Sequence, residues 1–177
     1  MLGQSNQRSY CPTEFDIFIG MDVDKKNIDF TCADSKRIIR SVHIPNHVED
    51  LIRYVRKHFP DQKVLFAYEA GPTGYGLYDG LMAVGFACVI NPPSMIPTAP
   101  GQRVKTNRLD SKKITEALRA GQLKGIHVPS PTYRHLRHLT KVRDLVARQI
   151  AGNKCRIKAL LLFEGIPFPE AAPKSHH

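Results

Sequence analysis

Long apolar runs are missing from this sequence: none approaches the roughly 18–20 residues needed to cross a bilayer. The opening MLGQSNQRSY carries neither the apolar stretch nor the cleavage pattern of a secretory signal. A cytosolic chain with no membrane-spanning segment is therefore expected. Cysteine is sparse and scattered. Cys11, Cys32, Cys88 and Cys155 form no C-x-x-C pair and have no histidine at zinc-finger spacing, so free thiols are expected rather than disulfides or a zinc cluster. Acidic residues are the third shortage: 16 Asp and Glu stand against 26 Lys and Arg, a formal charge of +10. Such a balance favours an anionic partner, a nucleic acid or an anionic membrane surface, over a neutral metabolite. No internal repeat is present.

What remains, in 177 residues, suffices for one well-cored domain and an appendage. FDIFIGMDVD alternates, with Phe15, Ile17, Ile19, Met21 and Val23 on one face and Asp16, Phe18, Gly20, Asp22 and Asp24 on the other; this is a strand with a carboxylate-rich end. NIDFTCA and RIIRSVHI follow after turn signals, which predicts an antiparallel meander of three strands. In NHVEDLIRYVRKHF the apolar period changes to three and four, predicting an amphipathic helix with Asn46 as its N-cap. The run Val64 to Tyr68 is apolar throughout and reads as a parallel strand buried on both faces, ending on Glu69. A helix over Thr73 to Val84 and a buried strand FACVIN complete a β-α-β-α-β pattern behind the meander, an α/β fold with a mixed sheet.

NPPSMIPTAPGQ is too rich in proline to be regular, and helix resumes near Leu109 to Ala120. Thr132 to Phe163 then reads as a long basic amphipathic helix. Its stripe runs Leu136, Leu139, Val142, Val146, Ile150, Ile157 and Leu160 or Leu161, close to a coiled-coil seam, with Gly152 and Asn153 as a possible break. That stripe leads to the expectation of a homodimer through the 132–163 helix. The Pro-rich GIPFPEAAPKSHH is read as a linker.

Three acidic positions would be delivered to one edge of the sheet: Asp22 at the end of the first strand, Glu69 at the carboxyl end of the parallel strand, and Asp110 in the first turn of a helix. Converging carboxylates repel unless a cation or a proton relieves them, and Mg²⁺ takes oxygen ligands of this kind. Each residue also has a plain structural explanation. Asp22 with Asp24 could close the strand as turn residues, Glu69 could sit in a salt bridge, and Asn107 with Asp110 could cap a helix. The cations Arg103, Lys105, Arg108, Lys112 and Lys113 around that last pair either face nucleic-acid phosphates or form a solvated basic surface.

GMDVDKKNID, YEAGPTGYGL, VINPPSMIP and RVKTNRLDSKKITEALRAG resemble, in order, the motifs of the N-terminal domain of DEDD transposases, the bacterial recombinases of the insertion sequence 110 family. The likeness runs from about Phe15 to Phe163. It implies a RuvC-like, ribonuclease H-like domain over residues 15–125, preceded by a flexible N-terminus over 1–14 and followed by a long basic helical region over 126–164 and a linker or tail over 165–177. By motif, the family's first Asp falls on Asp22, its Glu on Glu69 and its last Asp on Asp110. The remaining acidic position falls on Asn107, a departure that brings an amide oxygen without charge. The resemblance further implies Mg²⁺ or Mn²⁺ as cofactor, DNA and a structured guide RNA as partners, and a bacterial cytoplasmic, nucleoid-associated location. It also implies a nucleophilic serine on a second domain, so this chain is expected to be the N-terminal part of a longer recombinase. Two rival expectations stand beside it: a self-sufficient resolvase or nuclease that activates water, and a nucleic-acid-binding scaffold without chemistry of its own.

Overall fold

The computed structural model describes residues 10–93 and 107–168. The chain divides into two compact units, the first reaching Val128 and the second starting at Pro129. In the first unit, β1 (Ile17–Val23), β2 (Asn27–Ala33) and β3 (Ile38–Pro45) form the expected antiparallel meander. Helix α1 (Val48–His58) crosses over to β4 (Val64–Glu69), and α2 (Gly76–Ala83) to β5 (Ala87–Asn91). Both of these strands run parallel to the sheet's centre, which has the order β3-β2-β1-β4-β5. Alternation along β1 sorts its side chains as the sequence predicts. Ile17, Ile19 and Met21 enter the core that receives Leu51 and Val55 of α1 and Leu81 of α2. Phe18 enters a second core with Leu65, Ala67, Val89 and the inner side of α3 (Asn107–Arg119). The centre of the sheet is thus buried on both faces, which is why β4 is apolar at every position up to Tyr68.

Two local expectations are corrected. Asn46 does not cap α1: the N-cap is His47, which makes no side-chain cap bond. The Asn46 amide instead donates to the Asp24 carbonyl at 2.7 Å, tying the end of β3 to the β1–β2 turn. Helix α2 begins at Gly76 rather than Thr73, because the AGPTG stretch is spent on a turn in which Gly74 has φ +70°. At the other end, Tyr10 packs on the second core and its hydroxyl donates to the Leu118 carbonyl at 2.8 Å. Residues 10–14 of the stretch read as flexible therefore belong with the folded unit; residues 1–9 lie outside the described ones.

The docking of α3 on the sheet positions the site, and it depends on small side chains. The Gly20 amide donates to Thr115 Oγ at 3.0 Å, and the Thr115 hydroxyl proton is shared between the carbonyls of Thr31 at 3.0 Å and Ser111 at 2.8 Å. Thr31 Oγ lies 3.0 Å from Ser111 Oγ and 2.8 Å from Ser41 Oγ. Every polar atom in this buried layer gains a partner, so the helix can approach without an apolar spacer. A Cβ on Gly20 would lie 2.6 Å from Thr115 Oγ and 2.7 Å from the Ser111 carbonyl oxygen. Gly20→Ala is accordingly expected to lift α3 and destabilise the domain by ~1–3 kcal/mol, read as a lowered thermal midpoint; an unchanged midpoint would show that α3 shifts at no cost.

In the second unit, α4 (Pro131–Phe163) runs unbroken through Gly152 and Asn153. Ser130 caps it, its hydroxyl accepting from the Tyr133 amide at 3.3 Å, with Pro131 at the first helical position. No residue of α4 is buried.

Candidate functional site

Strand register assembles a polar row across the whole sheet. Asp22 on β1 is paired with Asp29 on β2, and Asp29 with His43 on β3. On the other side, the Met21–Tyr68 pair of β1 and β4 places Asp22 and Glu69 one step further along neighbouring strands, and Glu69 is paired with Asn91 on β5. Met21 and Ile90 belong to the core beneath α1 and α2, so by alternation Asp22 and Asn91 fall on the opposite face, the one α3 covers. The five strands thus contribute His43, Asp29, Asp22, Glu69 and Asn91 in order, four of them able to carry charge. His43 Nδ1 stands 3.0 Å from Asp29 Oδ1.

Asp22 and Glu69 line one cleft of about 570 Å³ with Asp24, Lys25, Gly71 and Thr73. The wall opposite Asp22 is the turn after β4, anchored where the Ala70 amide donates to the Asn91 carbonyl at 2.8 Å. Glu69 is exposed, whereas Asp22 is half-buried. Burial pushes the Asp22 carboxyl up to about 6, and the negative charges of Asp24, Asp110, Asp29 and Glu69 act in the same direction. Asp110, in the first turn of α3, therefore stands near enough to act on Asp22 across the helix–sheet interface. Like charges held this way are relieved by a proton or by a cation with oxygen preference.

The expected site residues divide by position. Asp22 and Glu69 share the cleft. Asp110 acts on Asp22 through its charge, and its own Oδ1 lies 3.5 Å from Lys113 Nζ. Among the described residues, no three His, Cys, Asp or Glu side chains are grouped as placed so that they could hold one metal ion. Lys112 is exposed on α3, while Lys113 is partly engaged by Asp110. Arg103 and Lys105 lie outside the described residues, as do the side chains of Asn107 and Arg108, whose backbone opens α3. Sequence reasoning missed Asp29, His43 and Asn91. For Asp29 a signal existed, since a meander with Asp22 at the end of one strand needs a cross-strand neighbour early in the next. The oxygen-only donor set of Asp22, Glu69 and Asp110 suits a hard divalent cation by its chemistry.

A meander continued by two parallel strands, with acidic side chains at the ends of β1 and β4 and a helix bringing another across them, defines a RuvC-like, ribonuclease H-like α/β domain. The chain belongs to the DEDD transposases of the insertion sequence 110 family, whose model, described as a transposase, matches residues 19–164. It is 34% identical over 157 residues to y4qE, a protein of Sinorhizobium fredii named as a transposase, a match covering 86% of this chain and 40% of that protein. It is 27% identical over 155 residues to the transposase for insertion sequence element IS1533 of Leptospira borgpetersenii, covering 85% of this chain and 44% of that protein. The chain thus spans less than half the length of these relatives. Among solved structures, Thermus thermophilus RuvC in complex with a Holliday junction substrate is similar at a TM-score of 0.47 and 10% identity, covering 62% of this chain and 99% of that one. No helix among the described residues is long and apolar enough to cross a membrane.

Proposed function

We propose that this domain contributes the cation-dependent part of DNA strand cleavage and rejoining by an insertion-element transposase, and that it binds both DNA and a structured guide RNA. The observation that carries the reading is the row of acidic side chains at the sheet end, with Asp22 forced up to about 6 by burial and by four neighbouring carboxylates. Asp22, Glu69 and Asp110 would hold Mg²⁺ or Mn²⁺, with Asn107 able to add a neutral oxygen. When bound, the cation supplies polarisation of the scissile phosphate and charge stabilisation at the attacking and leaving oxygens. The residues themselves divide the work by exposure. Glu69, exposed at the strand end, is open to the cleft; Asp22, half-buried, is fixed by its strand; Asp110 is carried by a helix that the hydroxyl layer locks in place. Lys113 holds the Asp110 carboxylate to one side and becomes available to a phosphate when that carboxylate turns away. Lys112, with Arg103, Lys105 and Arg108, would neutralise the strand's phosphates.

The long helix supports the same reading as an assembly element. Leu139 and Val142 are 68% and 59% exposed, and Ile150, Ile157 and Leu160 are similarly bare. A second copy of the chain is the proposed cover, in parallel with nucleic acid along the opposite basic side, where Arg137, Lys141 and Arg148 recur at helical spacing.

The test is Mn²⁺ titration into the chain with and without DNA, followed by Asp22→Asn. Binding in the wild type that is lost in the variant, with DNA affinity retained, is expected. The same Mn²⁺ affinity in both proteins would overturn the site. The amide Asn107 in place of a carboxylate favours one rival, a binding scaffold without chemistry; DNA binding with no Mn²⁺ affinity under either condition would establish it.

A further inference from the structure

Asn91 ends β5 with none of its surface exposed. Among the described residues, neither polar atom of its side chain, Oδ1 or Nδ2, has a hydrogen-bond partner. A buried amide with nothing to bond is costly and rare, and a strand end beside apolar Ile90 and Val89 could as well hold leucine. Its position in the sheet supplies an explanation. Asn91 is the register partner of Glu69, it shares the α3-side face with Asp22, and its backbone carbonyl anchors the first residue of the turn that walls the cleft. The donor and the acceptor that lack partners therefore sit beside the carboxylate with most freedom to move.

We infer that Asn91 is a positioning residue of the carboxylate site: its Nδ2 donates to Glu69 when that side chain turns inward to a cation, and its Oδ1 accepts from a water on the cation. This rests on the cation reading above. An amide suits the place better than a carboxylate or a lysine, because it offers a donor to Glu69 without adding charge to a row already crowded with negative groups. Partners of this outer kind orient the ligands that touch a metal, and losing one weakens metal affinity without removing any ligand.

The experiment measures Mn²⁺ affinity of the full chain by calorimetry for wild type, Asp22→Asn, Asn91→Leu and Asn91→Asp, together with thermal midpoints in chelator. Asn91→Leu is expected to melt no lower than wild type, since it removes two unsatisfied atoms, yet to bind Mn²⁺ about 10- to 100-fold more weakly. Asn91→Asp is likewise expected to bind Mn²⁺ more weakly than wild type, because it loses the Nδ2 donor and sets a second carboxylate against Glu69. Wild-type affinity in Asn91→Leu would overturn the inference and leave the site intact, provided Asp22→Asn has lost binding. Wild-type affinity in Asp22→Asn would instead bring down the cation site and this inference with it. Should the leucine variant fail to fold, Asn91→Asp decides alone: affinity equal to or above wild type would overturn the positioning role of Asn91.

Discussion

In chelator at pH 8, Asp22→Asn is expected to melt several degrees above the wild type, and with Mn²⁺ added it is expected to show no binding. Both outcomes come from one feature. The Asp22 carboxyl stands at about 6 in the folded chain, raised first by burial and then by Asp24, Asp110, Asp29 and Glu69, against ~3.9 for an unfolded aspartate. Between those values the folded chain keeps a proton that the unfolded chain has released. Stability is therefore full below about pH 4 and falls as pH rises through the folded value, leaving the native state burdened at pH 8. The separation corresponds to ~3 kcal/mol unscreened. Asp22 is only half-buried, and solvent screening reduces the figure to ~1–2 kcal/mol, or a rise in Tm of roughly 3–8 °C. Asparagine removes the charge and the burden together, so the gain should vanish near pH 4. Melting curves at pH 4 and pH 8 for both proteins check it. A variant that melts below the wild type at pH 8 would mean that the carboxylate makes contacts that stabilise the fold.

A carboxyl held up to about 6 at the end of β1 fits the cation site proposed above, and its placement was half visible in the sequence. Alternation in FDIFIGMDVD placed Asp22 on the face opposite Met21, and the unbroken apolar run before Glu69 marked β4 as a parallel strand. Those two signals are local, so periodicity carried them. The row across the sheet is different. Asp29, His43 and Asn91 join it through register, which depends on turn lengths and on where the hydroxyls of Thr31, Ser111 and Thr115 allow α3 to settle. Beyond the cross-strand neighbour of Asp22 that the meander implied, no window of the sequence contains that information. Asn46 shows the same limit at small scale: its type and place fitted a helix cap, but the cap falls on His47 and the Asn46 Nδ2 donates to the Asp24 carbonyl on a neighbouring turn. Gly152 and Asn153 fitted a helix break by propensity, yet twenty-one residues of helix already precede Gly152 by the bounds Pro131–Phe163, and two weak helix formers do not reverse that.

Leu139→Glu combined with Val146→Glu is expected to convert a micromolar dimer into a monomer without altering the melting of the α/β unit. The stripe is interrupted once, at Asn153: Leu139, Val142, Val146, Ile150, Ile157 and Leu160 otherwise follow the three-and-four spacing that holds one side of a helix, and they are between 44% and 68% exposed. Covering a half-exposed aliphatic side chain contributes ~1 kcal/mol, so the stripes of two copies amount to roughly 12 kcal/mol. Association subtracts at least ~4 kcal/mol, which leaves at most about 8 kcal/mol, a dissociation constant of about 1 μM at its tightest. Asn153 lies seven residues from both Val146 and Leu160, and a single polar residue in such a seam favours two strands in one register. Two glutamates per copy place four carboxylates in the seam, each costing several kcal/mol to desolvate, so dimerisation should weaken beyond the millimolar range. Arg148→Glu, nine residues from Leu139 and so half a helical turn away from it around the axis, changes the charge of each copy by the same two units as the double variant and should leave the dimer intact. Sedimentation at ten to twenty times the expected constant separates the cases. A monomeric wild type would refute the dimer, and a double variant that still sediments as a dimer would move the contact to another surface, leaving the stripe of α4 without the role proposed for it.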